Sequence, residues 1–285
     1  MPDRHRFNVV VAQPPNFPHF QAYTDLAKML AISLKKLGYP TRLVVNEFVR
    51  DATNIVVGAH NVESEMAGVL PADTIICNTE QIIEGSPFIE SLLLFGRKFQ
   101  VWDYSELNLK NWERLAGIKN VHPFKLGYLP EMEIPVQTGP RDIDVLFLGL
   151  VNRRRRLILD QLLSVGVRVL EVNNAYGNDR AAVIARSKLL LNIHVEHNSP
   201  FEMFRAMLAF AHRRGFISEQ GGFSPSDQDL IDGMVVSPVE NLASQCLEHL
   251  RHPDSWGELG DRGYEIFRRR DFAGTVRQLL KDSGF

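Results

Sequence analysis

Four consecutive arginines at residues 153–156 follow a short apolar run, DVLFLG at 144–149, and open a stretch of helical periodicity. A glycine at a strand end lets backbone approach a ligand closely. A helix N-terminus offers unpaired N–H groups and partial positive charge to an anion, and guanidinium groups add bidentate contacts to phosphate. Arginines in a first turn oppose the helix dipole unless an anion or a carboxylate lies nearby. Gly149, Asn152, Arg154 and Arg155 are therefore read as a diphosphate site. The alternative that asks for no ligand is a solvated basic helix face.

Residues 191–207, LNIHVEHNSPFEMFRAM, leave an apolar run through Asn192 and His194, cross a polar loop and enter a helical pattern at Pro200. Glu202 and Arg205, at i and i+3, share one face of that helix. A carboxylate there can accept both hydroxyls of a ribose, and the arginine can reach a phosphate. Read without a ligand, the two form a local ion pair worth a few tenths of a kcal/mol. His194 is either part of the site or an ordinary histidine near a strand end.

In the first half, CNTEQI (77–82) and VWDYSELN (101–108) each place polar residues after an apolar run. Glu80, Asp103 and His19 are the candidate general bases, in that order, and His60 points to the same rim. Ser105 can cap the following helix. Caps account for many such residues without function, so the argument rests on their convergence at one rim.

The elements that position these residues alternate regularly. Strands are expected at 7–12, 42–45, 54–57, 74–77 and 99–102, with helices at 26–37, 86–95 and 105–115. Residues 127–141 hold three prolines and no periodicity, which marks a domain boundary. The cycle then restarts, with strands at 144–149, 167–172, 188–193, 215–218 and 234–236. Helices are expected at 154–163, 180–187 and 201–212, and three more at 239–250, 256–270 and 273–281. Such alternation implies right-handed crossovers and mostly parallel sheets. The expected fold is α/β, with two Rossmann-like domains, 1–135 and 136–285, facing each other across a cleft and the last helix crossing back.

With 34 acidic against 32 Lys and Arg residues the net charge is −2, so no global field favours nucleic acid or an anionic membrane. Cys77 and Cys246 stand far apart in apolar segments, without disulfide or metal-ligand spacing. No run is long enough for a membrane span and no signal-peptide pattern opens the chain, so the cytoplasm is the expected location. Gln13-Pro14-Pro15 replaces any glycine fingerprint after the first strand, which argues against a nucleotide triphosphatase and a NAD-dependent oxidoreductase.

The segment SPVENLASQCLEHLRHPDSWGELGDRGYEIFRRR (237–270) resembles the closing helices of many GT-B glycosyltransferases. Taken with CNTEQI, VWDYSELN, DVLFLGLVNRRRR, ARSKLLLNIH and FEMFR, nearly the whole chain resembles a widespread bacterial group of small GT-B glycosyltransferases. The resemblance implies transfer of a sugar, of hexosyltransferase type, from a nucleotide-diphosphate donor held by the second domain. The acceptor, a glycan, lipid or protein hydroxyl, is then held by the first domain, which a partner protein or a second copy could complete. The resemblance implies no cofactor and no metal, in keeping with the lack of an acidic D-x-D signature. The E-x7-E spacing of retaining members is missing, because Glu196 and Glu202 are six apart and Glu219 follows much later. The rival reading is a non-catalytic nucleotide or nucleotide-sugar binding protein of the same fold.

Overall fold

The computed structural model describes residues 5–15, 18–132, 139–197 and 199–285, without the side chains of Pro18, His19 and Pro253. The chain divides into two compact units. The first takes the chain as far as Lys125 together with Asp271–Phe285, and the second is Leu126–Arg270. The boundary expected at 135/136 falls outside the described residues.

Unit 1 is built on six parallel strands: β1 (Phe7–Val11), β2 (Thr41–Val45), β3 (Thr53–Val57), β4 (Ile75–Asn78), β5 (Gln100–Asp103) and β6 (Val121–Pro123). Their order is β2-β1-β3-β4-β5-β6. Every residue of β1 and β3 is buried, Asn8 and Asn54 included, as largely β-branched strands covered on both faces should be. Edge strand β2 instead leaves Leu43 and Val45 exposed. Helix α1 (Thr24–Lys36) turns Leu26, Met29, Leu30 and Leu34 inward and closes on Lys35 and Lys36, which suit the negative end of its dipole. Helices α2 (Ile89–Lys98) and α3 (Glu106–Ala116) pack around the buried indole of Trp112.

Unit 2 repeats the plan with β7 (Ile143–Leu148), β8 (Val169–Val172), β9 (Ser187–Asn192), β10 (Gly215–Glu219) and β11 (Val235–Ser237), ordered β11-β10-β9-β7-β8. Its helices are α4 (Arg153–Ser164), α5 (Gly177–Ala185), α6 (Met203–Ala211), α7 (Leu242–Arg251) and α8 (Pro253–Phe267). The last helix, α9 (Phe272–Asp282), belongs to unit 1. It packs on α1, burying Phe272, Val276, Leu279 and Leu280.

In each sheet the chain lays two strands outward and then returns to the other side of the first. The reversal falls between β1 and β3 in unit 1 and between β7 and β9 in unit 2. Doubly wound sheets bind ligands at the carboxyl ends beside such a switch.

Several expectations need correction. Helix α2 begins at Ile89 rather than Ser86, because a turn closed by Ile89 N–H and Ser86 O precedes it. Helix α5 begins at Gly177, three residues before Arg180. Strand β6 was not expected, since three residues ending in proline carry no periodicity. Ser105 stands at the N-cap of α3 but makes no side-chain cap bond; its own N–H is received by Asp103 Oδ1 at 2.8 Å.

Candidate functional site

At the end of β7, Gly149 adopts φ 134°, a conformation open chiefly to glycine. A Cβ at this position would stand 2.8 Å from Arg205 Nη2, so the glycine admits the arginine side chain. Arg205 rises from α6 and is held by Leu148 O, which receives its Nε–H, and by Asn192 Oδ1, which receives Nη1–H. Its guanidinium lies 5.5 Å from the Phe147 ring centre. Among the described residues nothing accepts a hydrogen bond from Nη2. Two strand ends thus fix the planar fork of Arg205 and leave one edge turned to the switch point of unit 2.

Gly149→Ala tests this arrangement. Strain at that φ is expected to cost on the order of 1–3 kcal/mol, and the added methyl displaces the Nη2 edge. Both the chemical-denaturation midpoint and the affinity for nucleoside diphosphate should fall; a loss of stability alone would detach Gly149 from the site.

Two arginines of the block, Arg154 and Arg155, turn inward. Arg154 makes a bidentate ion pair with Glu219, with Nη1 at 2.8 Å from Oε2, and donates to His194 O at 2.9 Å. Glu219 is 2 % exposed and also receives the His194 N–H. Arg155 is turned into the core, where it donates to Ile193 O at 2.9 Å and Leu150 O at 2.7 Å and lies over Phe147. Burial, with the Arg205 charge beside it, pushes its guanidinium down to about 10. Asn152 is the α4 N-cap: Oδ1 receives Arg155 N–H at 3.0 Å and Nδ2 donates to Val195 O. Arg156 pairs with Glu171. Arg154, Arg155 and Arg156, set against the helix dipole, are thus matched by carboxylates and carbonyls of the protein itself. Arg154, Arg155 and Asn152 brace the strand ends and are not free donors.

His194 is fully buried, its ring beside the Gly221 backbone. Burial lowers its pKa, while Glu219 and Glu202 pull it upward. Glu202 stands at the N-cap position of α6 and makes no ion pair with Arg205 among the described residues, so the local helix pair does not form. Facing this segment, the loop after β10 turns through Gly222 at φ 69°. Gly222 O receives Phe201 N–H at 2.8 Å, and a Cβ at Gly222 would lie 2.3 Å from Ser199 O.

The unit 1 rim separates its candidates sharply. Asp103 is wholly buried and receives Trp112 Nε1–H at 2.7 Å, Asn78 Nδ2 at 2.8 Å, Asn108 Nδ2 at 3.0 Å and Ser105 N–H. Burial pushes its carboxyl up to about 6 against those donors. It anchors the core beneath the rim and cannot serve as an exposed base. Glu80 sits above it. Its backbone N–H reaches Asn78 Oδ1, and its carbonyl receives Asn78 and Asn108 Nδ2 at 2.7 and 3.0 Å. The side chain, 26 % exposed, accepts Tyr23 O–H at 3.1 Å. His60 Nε2 lies 2.9 Å from the same Tyr23 oxygen and 3.6 Å from Glu80. The His19 side chain lies outside the described residues. Tyr23 and Glu219 carry no local sequence signal, since the partners that give them meaning are remote in the chain.

Burial pushes His60 and His212 each down to about 4, below the 6.5 of a free imidazole. Their neutral rings contribute stability that is complete above about pH 6.5 and lost as pH falls toward 4. Asp103, raised to about 6, acts oppositely, its contribution fading as pH rises from about 4 to 6. Urea midpoints are expected to drop between about pH 6.5 and 4, less steeply in His212→Gln; an identical slope in that variant would remove His212 from the account.

No family model matches the sequence. An uncharacterised protein of Acanthamoeba polyphaga mimivirus is 31 % identical over 207 residues, covering 69 % of this chain and 64 % of that protein. Another uncharacterised protein of the same virus is 30 % identical over 209 residues, which cover 70 % of this chain and 23 % of that protein. The chain thus spans less than two thirds of either relative. Solved structures are similar over nearly its full length. An α-glucosyltransferase in complex with UDP and a 13-mer DNA containing an HMU base has a TM-score of 0.67 at 8 % identity, covering 99 % of this chain and 100 % of that one. BGT of phage T4, in complex with UDP and Mn2+, has a TM-score of 0.65 at 11 % identity, with 99 % and 100 % covered. Anabaena HepE, in complex with UDP and glucose, has 0.64 at 10 % identity, with 98 % and 99 % covered. The two parallel sheets with alternating helices have the α/β architecture of GT-B glycosyltransferases. Among the described residues no group of three or more His, Cys, Asp or Glu is placed to hold a metal ion, and no helix is long and apolar enough to cross a membrane.

Proposed function

We propose that the protein transfers a glycosyl group from a nucleoside-diphosphate sugar to an acceptor hydroxyl. The observation that carries this reading is Arg205, clamped by Leu148 and Asn192 against Gly149, with one guanidinium edge unpartnered at the switch point of unit 2. An arginine fork held in that way fits the oxygens of a diphosphate. Glu202, at the N-cap of the same helix, is assigned to the nucleoside, its carboxylate accepting ribose hydroxyls, while the fully buried His194 ring is left out of the contact. As the anomeric carbon parts from the diphosphate oxygen, the electron pair stays on the leaving phosphate. A preorganised cation stabilises that charge most in the transition state. Metal independence is part of the reading, because Arg205 supplies positive charge where the leaving group forms.

Unit 1 supplies the base. Glu80 takes the proton of the acceptor hydroxyl as its oxygen bonds to the anomeric carbon. Tyr23 donates to Glu80, and His60, kept neutral by burial, faces the Tyr23 oxygen. The carboxylate is therefore oriented before an acceptor arrives. Thermal-shift titration with UDP-, GDP-, dTDP- and CMP-sugars, followed by assay of sugar release or transfer, tests the proposal. Stabilisation by one nucleotide class together with turnover supports it. Binding without transfer to water or to any acceptor would favour a nucleotide-sugar binding protein, and no binding would remove the site.

A further inference from the structure

A groove of about 500 Å³ opens at the carboxyl end of the unit 1 sheet, beside the reversal between β1 and β3. Gln13 reaches it from the end of β1, Asn46 and Phe48 from beyond β2, and Asn61, Glu63 and Met66 from beyond β3. That volume lies in the range of small-molecule sites, about 300–1,000 Å³, and the place is where doubly wound sheets hold ligands.

The lining selects a chemistry. Among the described residues no lysine, arginine or histidine contributes to it, and the one ionisable group is the Glu63 carboxylate. An anionic ligand would meet a like charge and find no counter-charge. Asn61 Nδ2 is buried and has no hydrogen-bond partner among the described residues. A buried donor left in that state is costly until an acceptor reaches it. Asn46, in the left-handed region that asparagine enters readily, is held by two bonds to the Gln13 backbone: its Nδ2 donates to Gln13 O at 2.7 Å, and Gln13 N–H donates to its Oδ1 at 2.8 Å. Phe48 and Met66 pack against the unit 1 core and give the groove an apolar side. An apolar side, amide edges and the absence of cations match a sugar ring, whose C–H face can lie on an aromatic while its hydroxyls meet amides.

We propose that this groove seats an uncharged mono- or disaccharide as the acceptor and does not seat phosphate-bearing acceptors, nucleic acids included. This rests on the glycosyl-transfer reading and adds the acceptor class to it. The same short turn, Ala59–Asn61, carries His60 of the Glu80 cluster and Asn61 of the groove, so acceptor and base share one support.

The test uses the full chain without nucleotide, titrated with maltose, lactose, cellobiose and chitobiose, and separately with an oligothymidylate, by saturation-transfer NMR and calorimetry. At least one disaccharide is expected to bind with a dissociation constant on the order of 1 mM. Asn61→Leu is expected to weaken it roughly five-fold or more, and Phe48→Leu gives a second variant should the first fail to fold. Absence of disaccharide binding, wild-type affinity in the folded variants, or displacement of the sugar by oligothymidylate would overturn the assignment. UDP titration of the same samples separates the two ideas: intact UDP binding without sugar binding sinks the groove and leaves the donor site standing.

Discussion

Glu80→Gln is expected to slow glycosyl transfer by about 10²–10⁴-fold, the usual contribution of a positioned general base, with donor affinity unchanged. Glutamine keeps the shape and can still accept the Tyr23 hydrogen bond at the Oε1 position, but it cannot take a proton. The backbone of residue 80 is clamped by Asn78 and Asn108, so the substitution should not move the rim. Tyr23→Phe removes the donor that orients the carboxylate and should produce a smaller loss of the same kind. Single-turnover rates at saturating donor, beside a UDP titration, make the comparison. Full-rate transfer by Glu80→Gln would show that the base lies elsewhere, and loss of UDP affinity would show that Glu80 is not confined to the acceptor side.

Arg205→Ala is expected to raise the dissociation constant for nucleoside diphosphate about ten- to a hundred-fold, because charge-assisted hydrogen bonds contribute about 1.5–3 kcal/mol each. Arg205→Lys should recover little. A point charge cannot bond Leu148 O and Asn192 together and still present a second edge to phosphate. Glu202→Gln should weaken binding less, since it preserves shape and loses only the charge that strengthens the ribose bonds. Arg205 also packs over Phe147, so unfolding curves belong beside the titrations. A folded Arg205→Ala variant with wild-type nucleotide affinity would end the donor-site assignment.

The doubly wound plan was legible because it depends on local facts. Mostly apolar runs such as FNVVV and LLLN are the mark of strands covered on both faces, and amphipathic stretches between them have nowhere to pack but on the sheet. Pairing partners are not local, and there the reading was weakest. Four arginines at a helix start look like an anion site because only Asp160, one turn on from Arg156, offers a counter-charge nearby in sequence. The neutralising groups are Glu219, Glu171 and the carbonyls of Leu150 and Ile193, brought in by folding. Asp103 looked like a rim carboxylate because it ends a strand, yet the Trp112 indole, one helix later, covers and bonds it. Gly149 and Arg205, singled out separately, meet because β7 and α6 deliver them to the same strand ends.

The placement of α9 has a consequence for biosynthesis. Unit 2 is an uninterrupted stretch of chain, whereas unit 1 needs residues from both sides of it. On a ribosome, α1 and the indole of Trp102, whose Nε1–H is received by Ser283 Oγ at 2.9 Å, wait for a cover that is translated after unit 2. At ~5–20 residues per second that wait is roughly 7–30 s, time enough for the later-made unit to fold first. The order of maturation is then the reverse of the order of translation, and unit 1, still without its α9 cover, is the one a nascent-chain chaperone would guard.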